Sequence, residues 1–187
     1  RGLGDVYKRQ AFRNLALEWV AYVAGKRESR RLMGDVVLTQ NDILRQVAYE
    51  DASVTTSWTI DLHYPDPKNT RFFPGDEFKA VCNQEEIELY PIPYRCFYSR
   101  NVSNLFMAGR NISVTHVALG TVRVMRTTAM MGEVVGMAAA VCRRHDVLPR
   151  TVYTSYLPEL RSLMQKGCGQ QDLPNNQQFN IGRRKHH

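Results

Sequence analysis

The stretch LFMAGRNISVTHVALGT, residues 105–121, carries the strongest indication of the fold. Its first four residues, 105–108, are wholly apolar and predict a buried parallel strand. Gly109 follows that strand directly, and after a loop over 112–120 the sequence predicts a long helix over 121–144. A strand that leads through a glycine turn and a loop into a helix indicates the α/β class.

The start of that helix predicts where a ligand binds. A helix N-terminus carries free N–H groups and about half a positive charge, so it suits an anion or an electron-rich oxygen. Gly120 lets a planar ligand approach the backbone, and Thr121 adds a hydroxyl. The spacing alone leaves open the alternative that Gly109 and Gly120 only make turns.

The spacing of apolar residues predicts the other elements, which are helices over 11–24, 40–49 and 157–166 and strands over 54–62, 86–90 and 94–98. Thr39 and Asp42 have the spacing of a capping box at the start of the second helix. The sequence Pro-Ile-Pro at 91–93 is expected to end one strand and begin another. Gly132 and Gly136 lie on one face of the long helix, where they predict close approach of another backbone.

Composition and charge exclude several classes of protein. The chain has 187 residues, of which 43% are hydrophobic and 23% charged, as in ordinary globular domains. No stretch reaches the roughly 20 apolar residues that span a bilayer, so no membrane segment is predicted. Most of the net charge of +7 lies in residues 1–10 and 182–187, which argues against nucleic-acid binding because no basic stripe marks a folded face.

The four cysteines are Cys82, Cys96, Cys142 and Cys168. None of them is close enough to another to form a zinc or redox motif, so no metal site is predicted. Isolated buried thiols are the favoured interpretation over disulfides.

The first ten residues, RGLGDVYKRQ, do not read as the start of a native chain. They lack an initiator methionine and the features of a signal peptide, and they resemble translated adaptor sequence. We therefore expect residues 1–10 to be non-native and the gene to be truncated. The expected location is cytoplasmic, although an export signal would lie in the part expected to be missing.

Several ordered motifs resemble one known family. They are YPIPYR at 90–95, NLFMAGRNIS at 104–113, THVALGTVRVM at 115–125, GKRESRR at 25–31, GDVVLT at 34–39 and DLH at 61–63. Together they resemble the C-terminal half of bacterial FAD-dependent oxidoreductases of the glutathione-reductase-like superfamily. The resemblance covers roughly residues 14–173.

The resemblance implies a split architecture with FAD as the cofactor. Residues 11–99 would form part of a β-rich substrate domain, and 100–150 would form the C-terminal part of a Rossmann-like FAD-binding domain. A C-terminal helix and a solvated tail would follow over 151–187. The Gly-x-Gly-x-x-Gly motif that binds the cofactor's pyrophosphate occurs nowhere in the chain, so we expect the chain alone to bind FAD weakly and to be inactive.

Twelve residues are candidates for the site. They are Arg27, His63 and Arg95 for catalysis and Gly109, Arg110, Asn111, Ser113, His116, Gly120, Thr121, Val122 and Arg123 for cofactor binding. An Arg and a His near a flavin orient an oxyanion and move a proton while a hydride is transferred. Many relatives have Gly-Asp where this chain has Gly109-Arg110, so the ribityl contact is expected from backbone or from Asn111.

Alternatives remain open for the individual residues and for the chain. His116 is as compatible with a structural role as with flavin contact, and Arg123 could instead pair with a surface acid. Arg27 and Arg31 fit a solvated charge cluster. The predicted function is the C-terminal fragment of a flavin-dependent oxidoreductase that transfers a hydride between FAD and a small organic substrate, in an oligomeric state that the sequence leaves open. The alternative is a non-catalytic α/β fragment that binds no cofactor.

Overall fold

A computed structural model describes residues 28–66 and 80–167 of the chain, together with 16, 18–19 and 22–23. The helices are α1 Gln40–Leu44, α2 His116–Val122, α3 Met125–His145, α4 Pro149–Ser155 and α5 Leu157–Lys166, and the strands are β1 Ala52–Thr56, β2 Ile60–Pro65, β3 Ala80–Glu85 and β4 Tyr90–Pro93. A 3₁₀ turn, Tyr94–Cys96, follows β4 directly. Of the predicted helix over 11–24 only residues 16, 18–19 and 22–23 are described, and none of these is helical. The predicted tail beyond residue 167 lies outside the described residues.

The strands form two separate antiparallel pairs. β1 pairs with β4 in a register that places Val54 opposite Ile92, and β2 pairs with β3 in a register that places His63 opposite Cys82. The single strand predicted over 54–62 is therefore wrong, because the chain leaves one sheet after Thr56 and enters the other at Ile60. The apolar alternation continues across the break, which is why the sequence pattern did not reveal it.

The Pro-Ile-Pro segment does not separate two strands, as the sequence predicted, but lies inside β4. A proline has no backbone N–H to donate, so it is tolerated in a strand that has a hydrogen-bonded neighbour on one side only. Among the described residues β4 pairs with β1 alone, and this satisfies that condition. The strands predicted over 86–90 and 94–98 are replaced by β4 and the 3₁₀ turn.

The apolar run over 105–108 is not a parallel strand. Phe106 makes only an isolated antiparallel bridge with Tyr98, whereas the parallel bridge in this region joins Leu38 to Val114. The described residues thus combine helices with small antiparallel sheets, in line with the coarse α/β class. The Rossmann-like half-domain stays a prediction.

The helix predicted over 121–144 consists of two helices and begins earlier than expected. Thr115 caps α2, since its side chain accepts a hydrogen bond from the Ala118 N–H at 3.4 Å. The chain leaves the helical path at Val124, and α3 runs on to His145. Gly132 and Gly136 of α3 have no atom within 4 Å of where a Cβ would lie, so the predicted close approach of a second backbone at these glycines is wrong for the described residues.

The capping box at Thr39 and Asp42 is confirmed. The Asp42 N–H donates to Thr39 Oγ1 at 3.2 Å, and the Thr39 N–H donates to Asp42 Oδ2 at 2.8 Å. The helix ends at Leu44 instead of residue 49, because Gln46 adopts a left-handed backbone with a φ of 54°. The helix over 157–166 is confirmed as α5.

Three buried tyrosines at four-residue intervals have their rings in the core and their hydroxyls hydrogen-bonded to segments around it. Tyr90 donates its hydroxyl to the Val47 carbonyl at 2.9 Å, and Tyr94 donates to the Pro149 carbonyl at 2.8 Å. Tyr98 donates to an Asp35 carboxylate oxygen at 2.7 Å. Their rings lie in one core cluster with the apolar face of α3. None of the helices in the described part of the chain is long and apolar enough to cross a membrane.

Candidate functional site

A cavity of about 170 Å³ lies where β2 meets α2. It is lined by Asp61, Leu62 and His63 of β2, by His116, Leu119 and Gly120 of α2, by Arg123 immediately after α2, and by Glu28. Four of the residues predicted from the sequence, His63, His116, Gly120 and Arg123, are thereby brought together. They come from positions up to 60 residues apart in the chain.

Gly120 positions the two elements that form the cavity. A Cβ at this position would lie 2.9 Å from the backbone nitrogen of Asp61, so only a glycine allows α2 to approach β2 this closely. The sequence predicted that the close approach at Gly120 would be made by a ligand. The backbone of β2 occupies the space that a Cβ would need, and because Gly120 also lines the cavity its predicted contact with FAD stays a prediction.

Asp61 is the central acid of the site, and its side chain is 11% exposed. It accepts hydrogen bonds from Arg123 Nη2 at 3.2 Å, His63 Nε2 at 2.9 Å, Cys82 Sγ at 3.3 Å and Gln84 Nε2 at 3.4 Å. Burial opposes ionisation of this carboxyl, but the hydrogen bonds outweigh that effect and lower the pKa of Asp61 below its ordinary value. Asp61 is therefore a carboxylate at neutral pH.

Arg123 connects this carboxylate to the backbone of β2. Its Nη2 also donates to the Asp61 carbonyl oxygen at 3.0 Å, and its side chain is 19% exposed. A guanidinium has five N–H donors in a fixed plane. The contacts to Asp61 use Nη2 and hold that plane against the cavity wall.

A second acid–imidazole pair also lines the cavity. His116 Nδ1 is 2.9 Å from Glu28 Oε2, and Glu28 also pairs with Arg31. The His116 side chain is 64% exposed, so the pair lies at the cavity's edge. Arg27, which belongs to the predicted charge cluster next to Glu28, lies outside the described residues, so its catalytic role stays a prediction.

Thr121 and Val122 do not line the cavity. Thr121 is the sixth residue of α2, so the expectation that it begins a helix is wrong. Its hydroxyl is 2.8 Å from the Thr56 hydroxyl and donates to the Trp58 carbonyl, which fastens α2 to the end of β1. Val122 is fully buried in the core.

The residues of the loop before α2 also lie outside the cavity lining. Gly109 has a φ of 93°, and its N–H points to Met131 Sδ at 3.4 Å, while Arg110 and Asn111 are exposed. Ser113 is buried, and its hydroxyl is the one buried side-chain polar atom in the described residues with no hydrogen-bond partner. The cofactor contacts predicted for these four residues stay predictions.

Arg95 is likewise not part of the cavity. Its guanidinium and its backbone N–H all donate to Asp51, which is fully buried, at 2.8 to 3.0 Å. The guanidinium carbon also lies 4.6 Å from the centre of the Tyr153 ring. The structure thus gives Arg95 a structural contact to Asp51 and does not bring it to His63.

Two acids and a cysteine of this region were not among the sequence candidates. Asp61 and Glu28 line the cavity, and Cys82 lies beside Asp61. Asp61 could have been found, because it has the same strand parity as His63 and must share its face. Cys82 could not have been found from the sequence, because only the pairing of β3 with β2 brings it close to Asp61. It is exposed, in contrast to the buried thiol that was expected, whereas Cys96 is buried as expected.

Comparison with known proteins gives one match. A family model described as FAD dependent oxidoreductase matches residues 4–164, which is most of the chain and includes every cavity residue. No curated protein and no solved structure matches the chain.

Proposed function

The chain belongs to the family of FAD-dependent oxidoreductases, and from that premise we propose that it serves hydride transfer between FAD and a small organic substrate. The observation that supports this proposal is the cavity in which β2 and α2 bring His63, His116 and Arg123 together. FAD, when bound, supplies the group that accepts or returns the hydride. The alternative of a fragment that binds no cofactor is not favoured by the family match.

The cavity suits part of the cofactor. Its volume of about 170 Å³ is below the roughly 300–1,000 Å³ of sites that enclose a whole ligand. Its donors are a guanidinium and two imidazoles, which match an electron-rich ring edge or a substrate oxygen. We therefore propose that Arg123 and His116 hold one edge of FAD, and that the pyrophosphate is bound by a dinucleotide-binding part of a longer flavoprotein.

Arg123 is proposed to stabilise negative charge. The Asp61 contacts fix its guanidinium at the cavity wall, so the positive charge needs no reorganisation when a negative oxygen or ring edge comes near. Its partial burial strengthens that interaction relative to an arginine in open water.

His63 is proposed to carry a proton to or from the substrate oxygen. Asp61 is ionised and hydrogen-bonded to His63 Nε2, so it orients the imidazole and stabilises the imidazolium. The exposure of the His63 side chain, 42%, leaves it accessible to a substrate. Arg95 has no part in this mechanism, because it is bound to Asp51.

The experiment measures the midpoint potential of FAD in the flavoprotein that contains this chain. Arg123→Met is expected to lower the potential by on the order of 30 mV or more, which is a tenfold change for a two-electron couple. The matched control is Arg144→Met, since Arg144 is an exposed arginine paired with Glu159 on α5. An unchanged potential in Arg123→Met, or an equal shift in the control, would contradict the placement of Arg123 beside FAD.

The role of His63 is tested by anaerobic stopped-flow measurement of FAD reduction. A sugar, a hydroxy acid and a steroid-like alcohol serve as test substrates. His63→Asn is expected to slow reduction about 10²–10⁴-fold with whichever substrate reduces the wild type, because a proton carrier is lost. His145→Asn is the control, since its imidazole pairs with Glu159 away from the cavity. A change below about threefold in His63→Asn would exclude the proton-transfer role.

A further inference from the structure

The pairing of β2 with β3 places three metal-binding side chain types together beside the cavity. His63 and Cys82 are directly opposed in the register, and Asp61 lies two residues before His63 on the same face. His63 Nε2 is 2.9 Å from Asp61 Oδ2, Cys82 Sγ is 3.3 Å from Asp61 Oδ1, and Cys82 Sγ is 4.0 Å from His63 Nε2. Three different donor atoms, a sulfur, a nitrogen and an oxygen, therefore surround one point.

We propose that Asp61, His63 and Cys82 form a binding site for a zinc ion. Zinc accepts thiolate, imidazole and carboxylate ligands, and sites with three protein ligands keep a fourth position for water or substrate. Bond lengths of about 2.3 Å to sulfur and about 2.0–2.1 Å to nitrogen and oxygen separate the donors of a tetrahedral site by about 3.3–3.6 Å. His63 Nε2 contacts Asp61 Oδ2 and Cys82 Sγ contacts Asp61 Oδ1, so the carboxylate must turn to offer one oxygen to an ion that both of these atoms bind. One donor atom from each of the three residues already lies within 4.8 Å of the other two.

The same geometry argues against a nucleophilic cysteine. In a cysteine–histidine–acid relay the two ring nitrogens of the histidine contact the acid and the thiol separately. Here a single nitrogen, His63 Nε2, faces both Asp61 and Cys82, and its distance to Sγ is longer than a relay needs. The three groups converge on a point instead of forming a chain.

The surroundings of Asp61 support its role as a ligand. Arg123 Nη2 and His63 Nε2 contact Oδ2 at 3.2 and 2.9 Å, while Oδ1 accepts from Cys82 Sγ at 3.3 Å and from Gln84 Nε2 at 3.4 Å. Arg123 thus fixes the carboxylate plane from outside, as a neighbouring hydrogen-bond donor does for many metal ligands. Oδ1 is then the oxygen offered to the ion, together with the Cys82 thiolate.

Zinc binding at this site releases protons. The Cys82 thiol gives up its proton to solvent, and His63 binds through the lone pair of Nε2 with its proton on Nδ1. The ion's two positive charges are balanced by the Cys82 thiolate and the Asp61 carboxylate. The affinity should therefore fall as the pH is lowered.

The inference depends on this chain's own side chains and not on the proposed flavin chemistry. Sequence spacing could not reveal the site, because His63 and Cys82 are 19 residues apart and no close ligand pair precedes either. In the described part of the chain, Asp61, His63 and Cys82 each offer one donor atom, and these three atoms lie within 4.8 Å of one another.

The test is a titration of the purified full chain with Co²⁺, followed by displacement with Zn²⁺. A thiolate-to-cobalt charge-transfer band is expected in the wild type, and Zn²⁺ should abolish it while about one proton or more per ion is released. Cys82→Ser should remove the band, and His63→Gln should weaken Co²⁺ binding at least tenfold. Cys142→Ser, which changes a thiol on α3, is the control and should keep the band.

Any of three results would overturn the inference. They are no band in the wild type, a band that survives in Cys82→Ser, and equal loss of the band in Cys142→Ser. Circular dichroism accompanies each titration, and the exposure of His63 and Cys82 makes both substitutions compatible with the fold. None of these measurements involves FAD, so they test the metal site without depending on the proposed flavin chemistry. A zinc ion on His63 Nε2 would occupy the nitrogen proposed to carry the proton, so the zinc-loaded protein is expected to lack that proton transfer.

Discussion

Gly120 presses against the peptide backbone of Asp61, so closely that a methyl group on Gly120 would lie 3.0 Å from the Asp61 carbonyl oxygen. That carbonyl also accepts a hydrogen bond from Arg123, one turn further along the chain. The contact between helix α2 and strand β2 thus sets the position of the arginine that faces the cavity. A single glycine controls the geometry of the site without itself needing to touch a ligand.

Substitution of Gly120 by alanine is therefore expected to destabilise the fold. The added methyl group collides with backbone, which cannot rotate away as a side chain can, and such overpacking costs about 1–3 kcal/mol. Urea unfolding followed by circular dichroism measures the change in the free energy of unfolding.

Gly136→Ala is the matched control for that substitution. Gly136 also lies in a helix, but no atom lies within 4 Å of where its Cβ would be. Alanine there should stabilise the protein by up to about 1 kcal/mol through helix propensity. Equal effects of the two substitutions would show that the contact with Asp61 does not restrict residue 120.

The pair Arg95–Asp51 is expected to contribute more to stability than the exposed pair Arg150–Asp35. Asp51 is fully buried, and Arg95→Ala would leave its carboxylate without the guanidinium, at a cost of about 3 kcal/mol. Arg150→Ala breaks a pair with Asp35 in which the arginine side chain is 53% exposed to solvent, so it should lower the free energy of unfolding by less. Urea midpoints compared under identical conditions test the order, and a larger loss for Arg150→Ala would contradict it.

Asp35 should make stability depend on pH in the acid range. The hydrogen bond from Arg150 lowers the pKa of Asp35, against an opposing effect of burial and with help from Tyr98. A carboxyl with a lowered pKa in the folded state stabilises the fold above its unfolded pKa of about 3.9, and this stabilisation is lost as the pH falls through the folded value. Asp35→Asn should therefore flatten the decline of unfolding free energy below about pH 5.

Arg150→Ala should flatten the same decline, because it removes the main cause of the shift. Unfolding free energies measured in urea at a series of pH values provide the comparison. If the free energy of unfolding of Asp35→Asn falls as steeply at low pH as that of the wild type, the carboxylate of Asp35 does not contribute to acid sensitivity.

Local signals in the sequence predicted local structure well. The capping box at Thr39 and the helix Leu157–Lys166 depend on residues a few positions apart, and both are confirmed. The start of α2 was missed although Thr115 is a good capping residue, because the loop was extended to Gly120, where a ligand was expected to approach the backbone. That glycine instead meets a strand nearly sixty residues away.

The features that the sequence did not predict depend on contacts between residues far apart in the chain. His63, His116 and Arg123 were proposed from the family resemblance, and the structure brings them together in one cavity. Asp61, which binds His63 and Arg123, was not identified as a site residue. Arg95 was proposed for the same site, yet the strand pairing that brings Asp51 close to it was not visible in the sequence. Periodicity shows which face a residue occupies, whereas strand pairing decides what lies opposite it.

The tyrosines at positions 90, 94 and 98 make the core sensitive to alkali. Burial is the largest cause that raises the pKa of each hydroxyl, so the folded protein keeps these protons at a pH where an unfolded tyrosine, with a pKa of about 10, gives them up. Unfolding therefore releases protons in strong base, and stability falls as the pH rises beyond that value. Because the hydroxyls of Tyr90 and Tyr94 bind carbonyls at residues 47 and 149, their ionisation would release two distant segments from the core together.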